Sequence, residues 1–159
     1  MVIFIAGPLN AGKSTVAEEL KSHIKKCVVL EPDIFHKLIE NVPIDKAVPT
    51  ILEMTSETIK ILNGKNFNII APYPLSNRNH EYLNACLRGI KKYFFILSPD
   101  MKAIASGRGK RRLNDWERKR ILHHYKIGIH NPSFGYKIDN TLKTPKETAK
   151  LILRIVKNK

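Results

Sequence analysis

Along the chain, unbroken apolar runs alternate with stretches in which apolar residues recur every three or four positions. Residues 2–6, VIFIA, carry no polar interruption, as expected of a strand covered on both faces of a parallel sheet. From Lys13 the period changes, and Val16, Ala17, Leu20 and Ile24 fall on one helical face. CVVL at 27–30 predicts a second buried strand, and DIFHKLIE a short helix with Ile34, Phe35, Leu38 and Ile39 on one side. Val48, Ile51, Leu52, Thr55, Ile59 and Leu62 trace a third helix, with Gly64 where a C-cap favours glycine. FNIIA at 67–71 reads as a strand, residues 77–90 as a helix and KYFFIL at 92–97 as a strand. Ser98 is then placed to cap a helix with Pro99 at its first position. Asn114 and Glu117 suit the N-cap and third position of a helix carrying Ile121, Leu122, Tyr125 and Ile129. GYKID is a short last strand, and TPKE at 144–147 opens a helix with buried stripe Ala149, Ile152, Ile155 and Val156.

Strands alternating with helices predict an α/β layered fold around a largely parallel sheet. A chain of 159 residues fits one domain, 1–159. No segment reaches the roughly 20 apolar residues that a membrane crossing needs, and no basic leader precedes the first strand, so the expected setting is cytoplasmic with no membrane partner. The two cysteines, Cys27 and Cys86, have no Cys or His neighbour at metal-ligand spacing.

Charge changes the picture. Twenty-eight Lys and Arg against 14 Asp and Glu give a formal +14, a field that attracts polyanions. Nucleotide phosphates and nucleic acid both qualify, and simple solubility explains the same excess.

The most specific local signal is GPLNAGKST at 7–15. Gly7, Gly12, Lys13 and Ser14 satisfy G-x-x-x-x-G-K-[ST] between a predicted strand and a predicted helix, the context this phosphate-binding loop requires. Its glycines let successive N–H groups turn toward phosphate oxygens, and the new helix adds its positive end. Lys13 would then meet the β and γ phosphates, Ser14 would hold Mg²⁺, and Thr15 would stand near the α phosphate, with Asn10 and Ala11 completing the loop.

Other candidates follow from position. FNIIAPYPL ends in Pro and Tyr rather than in the Asp of hydrolytic motors, and no N-K-x-D guanine-reading stretch occurs. Asp33 stands at the carboxyl end of the second strand, where a parallel sheet presents its ligand crevice. A carboxylate there accepts the proton of an attacking hydroxyl or helps to hold the metal; capping the following helix is the plainer role. Glu31 is the alternative carboxylate. Arg78, with Ser76 and Asn77, opens the helix after the third strand and suits an acceptor anion or the γ phosphate. GRGKRRLNDWERKR has three readings: a lid over about 106–116, hinged at Gly107 and Gly109, that brings Arg108, Arg111 or Arg112 to the phosphoryl group; a nucleic-acid face; or a solvated basic helix. Arg118 and Arg120 read as helix surface, and Trp116 as core packing.

Together, the P-loop, EPDIFH, APYPLSNRNHEYL, the Arg-rich stretch and the closing YKIDNTLKTPKETAKLILRI resemble small P-loop kinases over nearly the whole chain. The layout is similar to the shikimate- and gluconate-kinase-like group, especially its antibiotic-modifying and resistance branch, typified by chloramphenicol phosphotransferase and tunicamycin-resistance proteins. That resemblance implies a five-stranded parallel sheet flanked by helices in three layers, with a short lid. It implies Mg-ATP on Gly7, Gly12, Lys13, Ser14 and Thr15, Asp33 as activator of the acceptor hydroxyl, and Thr144 and Pro145 around the adenine. The chain departs from the pattern in having no arginine one turn into the helix after the fourth strand, and the paired acidic and arginine signature of shikimate kinase is missing. It also resembles polynucleotide 5′-hydroxyl kinases, through Leu75, Arg78 and the basic balance, but has no aromatic ladder for stacking bases. The expected function is an ATP-dependent kinase acting on a small-molecule hydroxyl. A polynucleotide kinase and a non-catalytic ATP-binding regulator are the alternatives.

Overall fold

The computed structural model describes residues 1–105 and 112–158. In chain order its elements are β1 (Val2–Ala6), α1 (Lys13–Lys21), β2 (Cys27–Val29), α2 (Asp33–His36), α3 (Ile44–Gly64), β3 (Asn68–Pro72), α4 (Asn77–Cys86), β4 (Lys92–Leu97), α5 (Met101–Ala105), α6 (Asp115–Lys126), β5 (Tyr136–Ile138) and α7 (Pro145–Lys157), with a 3₁₀ turn over Lys37–Ile39 after α2. The five strands form one sheet in the order β2-β3-β1-β4-β5, with every pairing parallel. Parallel neighbours need crossovers, and the helices supply them on both faces.

Strand alternation sorts the core into two layers. Val2, Phe4 and Ala6 of β1, with Ile69, Ala71, Phe94 and Ile96, face Ile51, Ile59 and Leu83 of α3 and α4. Ile3 and Ile5, with Ile70, Phe95 and Leu97, face Val16, Ala17 and Leu20 of α1 and Ala149 and Ile152 of α7. Each such apolar side chain contributes about 1.5–3 kcal/mol when fully buried, which is why β1 carries no polar residue. A third, smaller cluster joins Ile104 of α5, Leu113 just ahead of α6, and Ile121 within it, with Leu9 packed on it. No helix among the described residues is long and apolar enough to cross a membrane.

Local expectations failed where a neighbour competed. Gly64 is still helical, and Asn66 takes the left-handed position at φ 63 instead. The Asn66 N–H bonds Asn63 O and the Phe67 N–H bonds Leu62 O, the paired closure of a Schellman motif. Over α2 and the 3₁₀ turn after it only Phe35 and Ile39 pack inward, while Ile34 and Leu38 are 56% and 69% exposed, because so short a segment seats only one ridge. Helix α3 begins at Ile44, ahead of the stripe, and carries Pro49 within it, whereas α4 stops at Cys86 and continues as turns. Ser98 does not cap α5: its N–H bonds Ile138 O and prolongs the β4–β5 ladder. Asp100 accepts from the N–H groups of Lys102 and Ala103 in its place. Both capping boxes form, at Asn114 with Glu117 and at Thr144 with Glu147. Trp116 is exposed on α6 and not in the core.

Candidate active site

The loop after β1 is shaped by close approach. Gly7 has φ 137, and a Cβ there would lie 2.4 Å from the backbone oxygen of Leu97 on β4, so no side chain fits. Gly12 closes the loop at φ 86 as the N-cap of α1, with no side chain capping the helix. The first intrahelical bond runs from Val16 N–H to Gly12 O, so the N–H groups of Lys13, Ser14 and Thr15 have no acceptor within the helix. This row of donors at the positive end of a nine-residue helix fits a phosphate chain on geometry alone.

Lys13 curls over the loop, its Nζ donating to Pro8 O at 2.7 Å. Burial pulls its pKa down to about 8, against the opposing pull of Asp33 and Glu31. Asp33 is the first residue of α2, and Pro32, not Asp33, is its N-cap, so the capping role does not hold. Burial raises its pKa, Lys13 lowers it, Glu31 raises it and His36 lowers it. Lys13 and Asp33 therefore sense each other without forming a direct ion pair.

One cavity of about 900 Å³ brings these groups together. Its lining includes Asn10, Gly12, Lys13, Ser14 and Thr15 of the loop and α1, Asp33 of α2, and Thr144 and Pro145 at the start of α7. These residues follow the carboxyl ends of β1, β2 and β5, and the strands lie to either side of β1. Among the described residues no group of three His, Cys, Asp or Glu side chains is set to hold a metal. A divalent ion here would rely on the Ser14 hydroxyl, Asp33 and the phosphate oxygens themselves, which suits Mg²⁺.

Other expected residues fall elsewhere. Arg78 lines a separate cavity of about 210 Å³ with Asp45, Val48, Pro49, Leu52, Asn79 and Tyr82, and is not brought to the phosphate loop. Arg112 is exposed and lines neither cavity. Arg108 and Arg111, with Gly107 and Gly109, lie outside the described residues, as does most of the expected lid. Gly7 and Ala11 do not line the cavity, and Ala11 is fully buried.

Of the cavity residues that the sequence did not single out, two are hydrogen-bonded to the loop itself. His124, only 3% exposed, accepts the Leu9 N–H on Nδ1 at 3.0 Å. Burial first, then Arg120, Lys13 and His123, press its pKa down to about 3. Asn140 donates from Nδ2 to Ala11 O at 2.9 Å. The signals were weak: His124 follows Ile121 at helical spacing, and Asn140 follows the last strand at the sheet's carboxyl edge.

A P-loop motif between β1 and α1 on an all-parallel sheet of order 2-3-1-4-5 defines the class, an α/β fold of the P-loop type. No protein-family model matches the chain, and no curated protein matches it significantly. Solved structures do. It is similar to a gluconokinase from Sinorhizobium meliloti (16% identity, TM-score 0.73, covering 99% of this chain and 94% of that one). It is also similar to the APS kinase of Mycobacterium tuberculosis in complex with AMPPNP and APS (16%, TM-score 0.72, 98% and 96%). A third is the tunicamycin resistance protein of Deinococcus radiodurans (19%, TM-score 0.66, 98% and 94%). These likenesses span nearly the whole chain and show the fold that such P-loop kinases share.

Proposed function

We propose that this chain, as one domain over 1–159 with a lid at about 106–116, is an ATP-dependent kinase that moves the γ-phosphoryl group to a hydroxyl of a small molecule. The observation that carries the reading is the convergence of the donor row at residues 13–15, Lys13 and Asp33 on one cavity. Structural likeness to gluconokinase, and to an APS kinase holding AMPPNP, supports it.

In this reading Gly7, Asn10, Ala11, Gly12, Lys13, Ser14 and Thr15 form the triphosphate cradle, and Thr144 and Pro145 flank the adenine. Ser14 would hold Mg²⁺, with a metal-ligand role for Asp33 as the alternative to the proton transfer below, and the ion would neutralise phosphate charge when bound. The bond from the γ phosphorus to the bridging oxygen breaks, a bond to the acceptor oxygen forms, the hydroxyl proton passes to Asp33, and ADP leaves. The upward push on the Asp33 carboxyl favours that proton transfer. Lys13 and the arginines 108, 111 and 112 would stabilise charge on the transferring group. Arg78, in its own cavity, would hold a remote part of the acceptor. The +14 charge favours one competing acceptor, a 5′-hydroxyl oligonucleotide.

The test offers γ-labelled ATP and Mg²⁺ with separate pools of small hydroxyl compounds and 5′-hydroxyl oligonucleotides. Label in a small product, lost in Asp33→Asn, is the expected result. Label on the oligonucleotide alone would transfer the assignment to the nucleic-acid kinase, and Mg-ATP binding with no transfer to either pool would favour a regulator.

A further inference from the structure

Three successive residues of the phosphate loop are each tied to a different distant element. The Leu9 N–H donates to His124 Nδ1 on α6 at 3.0 Å, and Asn10 Nδ2 donates to Ile104 O on α5 at 2.8 Å. Ala11 O accepts from Asn140 Nδ2, beyond β5, at 2.9 Å. The Leu9 side chain also packs onto the small cluster of Ile104, Leu113 and Ile121. The tip of the loop is thus built into the α5–α6 layer rather than left to its own turns.

His124 differs from the other two ties because its partner is a backbone N–H of the loop and its ring lines the phosphate cavity. A ring nitrogen that accepts a hydrogen bond carries no proton, so the proton of the neutral ring is on Nε2. The charged groups around it agree: Lys13 comes from the loop, and Arg120 and His123 from its own helix, and each disfavours an imidazolium. No carboxylate faces the ring strongly enough to offset them.

We propose that His124 is a positioning residue of the phosphate loop: as the neutral Nε2–H tautomer it fixes the Leu9 peptide through Nδ1, and with it the curvature that aims the N–H groups of residues 13–15. This rests on the reading of the loop as the ATP phosphate site. The Leu9 N–H is part-buried and spent on the ring, so a lost partner leaves a donor that must be satisfied again by water from the cavity or by a shift of the loop. Such a shift is felt at once along the donor row, because Gly12 is three residues away and the intervening Asn10 and Ala11 are tied on either side.

The experiment separates the two ring nitrogens. His124→Asn sets an amide oxygen near the place of Nδ1, His124→Gln sets its polar end near Nε2, and His124→Phe keeps the volume without either. Mg-ATP affinity measured by titration calorimetry is expected to stay within about threefold of wild type for His124→Asn and to weaken by about tenfold or more for the other two. Rescue by Gln and not by Asn would overturn the proposal in favour of a direct contact through Nε2, and wild-type affinity in all three would also overturn it. If His124→Phe does not fold, the Asn and Gln pair decides. Nitrogen-15 NMR of the wild-type ring is expected to show the Nε2–H tautomer from pH 5 to 8, and a ring titrating in that range would refute it. That spectrum, with hydrogen exchange at the Leu9 amide, tests the clamp even if the protein binds no ATP, an outcome that would defeat the kinase reading alone.

Discussion

Replacing Gly7 by alanine tests the shape of the loop directly. At φ 137 an L side chain is strained whatever the space, at a cost of about 1–3 kcal/mol. The added Cβ would also meet Leu97 O at 2.4 Å, more than half an ångström inside ordinary contact. Leu97 is not a flexible tip: it ends β4, which pairs with β1 on one side and β5 on the other. Relief therefore means parting central strands or rotating the peptide that starts the loop, which adds about 1–3 kcal/mol, as overpacking of a rigid core does. The sum is on the order of 2–6 kcal/mol, a large part of the roughly 5–15 kcal/mol that holds a domain together. Gly64 is the internal control, since a Cβ there meets nothing within 4 Å and the residue is helical. Gly64→Ala should stabilise by about 0.5–1 kcal/mol. Urea denaturation of both variants, compared at equal m, gives the two signs. A Gly7→Ala protein within about 0.5 kcal/mol of wild type, beside a normal Gly64→Ala, would refute the close approach of loop and strand.

Three further outcomes follow from single groups. Lys13 is held at about 8, below its ordinary value, so its charge costs stability in full below pH 8, and the cost fades as pH rises from 8 toward 10.5. Lys13→Met should then raise stability near neutral pH by on the order of 1–3 kcal/mol while Mg-ATP affinity is lost, measured by denaturation and calorimetry. The neutral His124 contributes stability that is complete above pH 6.5 and is lost as pH falls toward 3. Wild type should therefore lose on the order of 2 kcal/mol more than His124→Asn between pH 6.5 and 5, and equal acid profiles would contradict the buried neutral ring. Asn66→Gly, at φ 63, should stabilise by about 0.5 kcal/mol in thermal or urea melts, because glycine takes the left-handed position without steric cost.

Much of the architecture was legible because it rests on short-range rules. An uninterrupted VIFIA has no face to offer water and becomes the central strand. Thr144 with Glu147, and Asn114 with Glu117, close their capping boxes because both partners sit within one helical turn. The phosphate loop was legible for the same reason, since Gly7 and Gly12 stand at the positions where the backbone must leave ordinary φ. Gly64 misled because a C-cap depends on where the helix actually stops, and packing carried α3 far enough for Asn66 to close it. Ser98 misled because its N–H was claimed by a strand some forty residues later in the chain.

Periodicity and backbone preference within a few residues set the alternation of elements, the parallel α/β class and a glycine-rich turn between β1 and α1. The strand order, the inward ridge of Phe35 and Ile39, the distance of Arg78 from the loop, and the bonds from His124 and Asn140 to it came from packing. Those outcomes depend on hydrogen-bonding groups and surfaces far apart in the chain, and spacing along the backbone does not encode which of them meet until the helices pack onto the sheet.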